Sequence, residues 1–176
     1  MWFISDQHFG HHNIIKYQGR PFSNVKEMDE YMITKHNETV KDDDIVYMVG
    51  DFCMDTNAER VKKYVSQLKG TKILILGNHD NLRPFTYVNI GFQSVHTMLE
   101  VEDMVLVHDP SVASVFFDTI CVCGHVHRLF QKTGNVYNVS VEVNDYTPVS
   151  IDTIKYVMEE FMIRQMKTVE LPEAYE

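Results

Sequence analysis

Residues 72–80 read KILILGNHD, an apolar stretch that ends in an amide, an imidazole and a carboxylate. Ile73, Leu74, Ile75 and Leu76 show no polar alternation, the pattern of a strand buried on both faces. Gly77 interrupts the run, and Asn78, His79 and Asp80 follow at once. Asn and Asp alone would favour a plain turn. The arrangement recurs, however. Residues 2–5 run into Asp6 and His8, and residues 45–49 run through Gly50 into Asp51. Residues 104–107 run into His108, and residues 120–123 run through Gly124 into His125 and His127. Ligands of open α/β sheets bind outside the carboxyl ends of the strands. One histidine after one strand reads as structural. Five strand ends carrying Asp, Asn and His read as one shared site.

The residue types name the chemistry. Asp6 and His8 are two apart, as are His125 and His127. In extended chain such pairs face the same side, so each pair is expected to point into one small volume. Two carboxylates, one amide oxygen and four imidazoles suit divalent transition ions better than calcium or a thiolate-held structural zinc. Manganese leads that expectation, ahead of iron, zinc, nickel and cobalt. Seven donors are too many for one tetrahedral ion. They suit two ions ~3.5–4 Å apart with a shared carboxylate, a geometry used for phosphoester displacement. Two divalent ions with Asp6 and Asp51 leave a net charge of about +2, which attracts phosphate. Cys121 and Cys123 invite a zinc-finger reading, but no second Cys pair exists to close a tetrahedral site. Alternation on one face of a buried strand explains them.

The elements that must position these residues follow from pattern. Residues 1–5 form the first strand, and residues 9–17 a loop entering a short helix with His11 and His12. Gly19, Arg20 and Pro21 make a turn. Asn24 with Glu27 resembles a capping box before a helix over 25–40, with Val25, Met28 and Met32 on one face. A second helix spans 57–68 and is closed by Gly70. The strand over 72–76 completes a β-α-β unit, so parallel neighbours are expected. Residues 92–101 and 104–107 read as strands around Glu102 and Asp103. Residues 111–117 read as a short helix, and residues 120–123 and 136–143 as further strands. A last helix over 151–166 places Ile154, Met158, Phe161 and Met162 on one face. One domain over 1–166 and a mobile tail over 167–176 are expected.

Composition bounds the partners. The 176 residues are 44% apolar and 23% charged, ordinary for a soluble globular chain. No run approaches the ~20 apolar residues of a membrane span, so no membrane partner is expected. The three cysteines suggest no disulfide framework, which favours a reducing cytoplasm. A net charge of −9 argues against extended duplex nucleic-acid binding, which rests on basic patches. It does not exclude a small phosphoester, because bound metals would invert the local charge. Oligomeric state is not legible.

Asp6-x-His8, Gly50-Asp51, Gly77-Asn78-His79-Asp80, His108 and Gly124-His125-x-His127 resemble the calcineurin-like metallophosphoesterases in order and spacing. The stretches SDQHFGHHNII, GRPF and NVSVEVNDYTPVS resemble a small phage and bacterial branch of that superfamily. The resemblance spans about residues 1–155. It implies an α/β fold: a two-sheet β-sandwich flanked by helices. It also implies a dinuclear centre. By matching position, Asp6, His8 and His127 would hold one ion. Asn78, His108 and His125 would hold the other, and Asp51 would bridge.

The implied activity is hydrolysis of a small phosphodiester or nucleotide-like substrate by a metal-bound hydroxide, with diesters ahead of monoesters. His79 would be the general acid or a transition-state stabiliser, with Asp80, Asp55 or neither orienting it. Phosphoprotein phosphatases of the superfamily carry an Asp, then Arg, where this chain has Met54 and Asp55. That departure makes a protein substrate a poor expectation. His11 and Arg20 are candidate substrate contacts; Arg20 would either fork a phosphate or pair with an acid. The competing class is a metal-binding scaffold that engages a protein partner. Such a scaffold is expected to lose a ligand or the acid, and here all are present.

Overall fold

The computed structural model describes residues 1–169, and within the last helix the side chains of 160, 162 and 164–169 are outside the description. Among the described residues the chain runs β1 (Trp2–Ile4), α1 (His12–Tyr17), α2 (Val25–Thr39), β2 (Ile45–Met48), α3 (Ala58–Val65), β3 (Thr71–Ile75) and α4 (Pro84–Asn89). It continues as β4 (Ser94–His96), β5 (Met98–Val101), β6 (Met104–Val107), β7 (Ile120–Cys123), β8 (Lys132–Thr133), β9 (Val136–Asn138), β10 (Val149–Ser150) and α5 (Ile151–Val169). The strands form two five-stranded sheets, ordered β10-β1-β2-β3-β4 and β5-β6-β7-β9-β8. The pairs β1–β2, β2–β3, β3–β4, β6–β7 and β7–β9 are parallel. Antiparallel pairing is confined to the edge strands β10, β5 and β8. This is the expected α/β sandwich of two sheets flanked by helices.

Parallel strands must be covered on both faces, and the cores show how the sequence achieves it. Along β2, Val46 and Met48 pack with Met28, Met32, Val61 and Val65 under α2 and α3. Tyr47 points the other way, joining Phe3, Ile75, Leu106, Val122, Ile154 and Met158 between the sheets. Along β7, Ile120 and Val122 fill that inter-sheet core, while Cys121 and Cys123 face outward against Ala113 and Phe116. Period-2 alternation therefore persists, but both sets are apolar. The two cysteines are core residues of one strand face, with free buried thiols.

Caps fix the helix starts. Asn24 Oδ1 accepts from Glu27 N at 3.0 Å, and Asn57 Oδ1 accepts from Glu59 N and Arg60 N. α4 carries its own signal, Pro84 at the first helical position, but no sequence reading anticipates it.

Two expectations need correction. The single strand over 92–101 is two strands in different sheets: β4 pairs with β3, β5 pairs with β6, and the chain changes sheet at Thr97. No Gly or Pro marks that crossing, so the local pattern is continuous. The strand over 136–143 ends at Asn138, and residues 141–143 are a 3-10 turn. Ser5 interrupts it, because its N–H donates to Val139 O and its C=O accepts from Val141 N. This parallel bridge ties the end of one sheet to the other. Of the tail expected over 167–176, residues 167–169 continue α5, and residues 170–176 lie outside the described residues. The expected helix face includes buried Ile154 and Met158 and partly buried Phe161; the side chain of Met162 is outside the description.

Candidate metal centre

All seven expected ligands meet at the carboxyl ends of β1, β2, β3, β6 and β7. One donor each from Asp6, His8 and His127 lies within 4.8 Å of the others, and one each from Asp51, His108 and His125 forms a second such group. Asn78 Oδ1 joins the second group, 3.1 Å from His108 Nε2 and 2.9 Å from His125 Nδ1. Asp51 Oδ2 stands between the groups, 3.5 Å from His8 Nε2 and 3.3 Å from His108 Nε2. That is the position of a bridge.

The convergence does not come from extended-chain alternation, as the spacing suggests. Asp6, His8, Asp51, His125 and His127 all adopt left-handed backbone, with φ of 60°, 51°, 54°, 71° and 47°. Such a conformation costs a non-glycine residue roughly 1–3 kcal/mol and persists where surrounding structure enforces it. Asn78 and His79 likewise lie in a turn, closed by Asp80 N–H donating to Gly77 O at 3.3 Å. Close packing explains two of the flanking glycines. A Cβ on Gly77 would strike the Asp51 carboxylate, and one on Gly124 would strike Ser5 and Asp6.

Hydrogen bonds orient each carboxylate and turn one oxygen towards the histidines. Asp6 Oδ2 accepts from Ser5 Oγ and Ser140 Oγ, both at 2.7 Å; His125 N donates to both oxygens, at 3.0 and 3.2 Å, and Oδ1 faces His8 and His127 at 3.9 and 3.8 Å. Asp51 Oδ1 accepts from His79 N at 2.8 Å, leaving Oδ2 for the histidines. Burial raises the Asp6 carboxyl pKa despite the nearby His108 and His127. Burial also raises that of Asp51, but hydrogen bonds and charge from His108 outweigh it and lower the carboxyl to about 2.

The imidazoles are oriented in the same way. His108 Nδ1 donates to Val49 O at 2.8 Å, which turns Nε2 into the site. His127 Nδ1 donates to Glu142 Oε1 at 2.9 Å, which turns its Nε2 towards Asp6. His8 is buried with neither ring nitrogen hydrogen-bonded, and burial holds its pKa down to about 3, so the ring is neutral with a free lone pair. Buried polar atoms without partners are rare in folded proteins. An orphaned neutral imidazole between two carboxylates is the residue a divalent ion would satisfy. The donor set therefore fits two metal ions: Asp6, His8, His127 and Asp51 for one, and Asn78, His108, His125 and Asp51 for the other.

The remaining site candidates fall in different places. The His79 ring lies 5.3 Å from that of His8, with its backbone on Asp51. His11 stands on the same side, its ring 5.8 Å from His8. Asp80 does not orient His79. Its carboxylate accepts from Gly77 N, Asp51 N and Phe52 N at 2.8, 2.8 and 3.0 Å, clamping the β2 and β3 ends together. Asp55 is also elsewhere, on Asn57 N and Arg60. Arg20 is buried behind the site, not open to a substrate. Its guanidinium donates to Asp6 O, Gln7 O and Glu142 Oε1. Of its two expected roles, pairing with an acid is the one the structure shows.

Glu142, Ser5, Ser140 and Asn138 carry structural duties that sequence reasoning assigned to none of them. Asn138 Nδ2 donates to His127 O at 2.8 Å and to Phe130 O at 2.7 Å, fixing the loop that carries His127. The available signal was the polar alternation Asn138-x-Ser140-x-Glu142-x-Asn144 at the end of an apolar strand.

Comparison with known proteins identifies a family. The chain is 37% identical over 172 residues to an uncharacterized protein of Methanocaldococcus jannaschii, covering 90% of this chain and 91% of that one. It is 28% identical over 116 residues to the gene 66 protein of Mycobacterium phage L5, covering 65% of this chain and 53% of the phage protein. The crystal structure of a protein of unknown function from Aquifex aeolicus superposes with a TM-score of 0.69 at 26% identity, covering 89% of this chain and 98% of that one. The calcineurin-like phosphoesterase family model matches residues 1–160. With nearly the whole described chain matched and both donor groups in place, the protein belongs to the calcineurin-like phosphoesterases.

Proposed function

We propose that the protein hydrolyses a small phosphodiester or nucleotide-like substrate, with two divalent transition ions, manganese first among them. The observation that carries this reading is Asp51 Oδ2, positioned between two complete donor groups. Two ions held there would acidify a water and place positive charge against the phosphoryl oxygens.

The chain's own residues supply the rest. Asp6, Asp51, Asn78 and the four histidines would hold the two ions. His79, beside His8, is the group proposed to protonate the departing oxygen. His11 shares that side, and its Nδ1 is buried without a partner, so it is retained as a proposed substrate contact. The small-substrate preference rests on a compact chain with a net charge of −9 and no long insertion to build a polymer groove. His125 and Asn78 are exposed, while Asp6 and His8 are buried. A substrate therefore meets the second donor group first. Among the described residues no helix is long and apolar enough to cross a membrane.

The test is hydrolysis of bis(4-nitrophenyl) phosphate and 4-nitrophenyl phosphate by protein reconstituted with Mn, Co, Ni, Zn or Mg. Metal-dependent turnover, faster for the diester, is expected. Absence of turnover with every metal, in protein shown to bind two ions, refutes the reading.

A further inference from the structure

The second donor group opens sideways into a cavity of about 580 Å³, bounded on one side by Asn78, His108 and His125. Its other walls are mostly apolar, Leu76, Met98, Val107, Val112, Val115 and Phe116, with Thr97 and Asp109 the polar exceptions. Met98 is 46% exposed, Val112 42% and Val115 71%. Three exposed apolar side chains from β5 and from the 3-10 turn Pro110–Phe116 thus gather at one mouth, where single scattered ones would need no explanation. Asp109 contributes the one carboxylate of the lining, and no lysine or arginine is present there among the described residues. A wall of this kind disfavours a second phosphate or a sugar phosphate and accepts an uncharged group.

Direction comes from the histidines. His79 and His11 flank His8, with ring centroids 5.3 and 5.8 Å away, on the side of the first donor group. The cavity adjoins the second. A departing oxygen belongs near the acid that protonates it. The group in the cavity is therefore the one that stays on phosphorus.

We infer that the cavity binds the retained ester group of a phosphodiester, and that this group is apolar, an aryl or alkyl substituent. The inference rests on the proposed phosphodiesterase reading and sharpens it, since a phosphomonoester has no retained ester group to place there.

The experiment compares two diesters with the same leaving group, 4-nitrophenyl methyl phosphate and 4-nitrophenyl benzyl phosphate, on the metal-reconstituted full chain. Burial of the ring is expected to raise kcat/KM for the benzyl ester by about tenfold or more, mainly through KM. Val112→Asp is expected to bring the benzyl-to-methyl ratio close to one. The same change at Val115 tests the wall independently, should the first variant fail to fold. Calorimetric binding of benzylphosphonate and methylphosphonate is a second readout, with the same ratio and the same loss expected. Equal constants for methyl and benzyl compounds, or a preference that survives both substitutions, overturns the inference. Absence of hydrolysis of both diesters, with the difference in phosphonate affinity intact, removes the phosphodiesterase reading and supports the cavity's selectivity.

Discussion

Glu142 Oε1 accepts from His127 Nδ1 at 2.9 Å, and so decides which nitrogen of that imidazole faces Asp6. The same oxygen accepts from Arg20 Nη2, closing a buried chain from the guanidinium through the carboxylate to the ligand. Burial raises the Glu142 carboxyl pKa, but the His127 hydrogen bond and the Arg20 charge outweigh it and the net shift is downward, so the group is ionised at neutral pH. Residues that orient a metal-binding histidine commonly set affinity by 10–100-fold. Glu142→Gln is expected to weaken the Asp6–His8–His127 ion by about that factor and to spare the other. Calorimetric titration of metal-free protein resolves the two steps. Equal weakening of both would show a general loss of structure instead.

Asp51 is the carboxylate shared by the two donor groups. Asp51→Asn should lower the affinity of both ions together, so that elemental analysis after dialysis finds both depleted. Retention of one full equivalent would place the bridge elsewhere.

His79 donates from its backbone to Asp51 but is in neither donor group, so its ring is free for chemistry. His79→Ala should therefore retain two ions. It should slow a diester with an alkoxide leaving group by ~10²–10⁴-fold, the usual worth of a general acid. A nitrophenolate leaving group departs without a proton and should be slowed much less. Equal slowing of both substrates would make the ring a positioning or charge-stabilising group.

His36 lies on α2, far from the chemistry in sequence. It is buried, with Nε2 donating to Lys69 O at 3.0 Å. Burial lowers its pKa from 6.5 to about 4. The unfolded chain therefore takes up a proton between about pH 6.5 and 4 that the folded chain refuses. Stability contributed by the neutral ring is fully present above pH 6.5 and falls as the pH drops towards 4. At about 1.4 kcal/mol per pKa unit the loss is about 3 kcal/mol. Urea unfolding at pH 7 and at pH 4.5 should show a smaller difference for His36→Gln than for the unsubstituted protein. Identical pH slopes would remove His36 as a source.

The sequence alone determined the site's composition and order along the chain. Apolar runs ending in Asp, Asn or His identified five strand ends. The β-α-β spacing over residues 45–76 fixed parallel pairing, which the β2–β3 register bears out. Parallel strands need cover on both faces, and the apolar runs carried that information locally. The crossing at Thr97 was illegible, because β4 and β5 follow one another without a break in pattern and separate only by joining different sheets. The roles of Arg20 and Asp80 were also decided in three dimensions. Arg20 meets Glu142 from 122 positions away, and Asp80 binds backbone N–H groups of the neighbouring strand end. A side chain's type states what it can bond. Only tertiary structure states which partner is within reach, because a buried charge must find its compensation among whatever elements the sheets bring beside it.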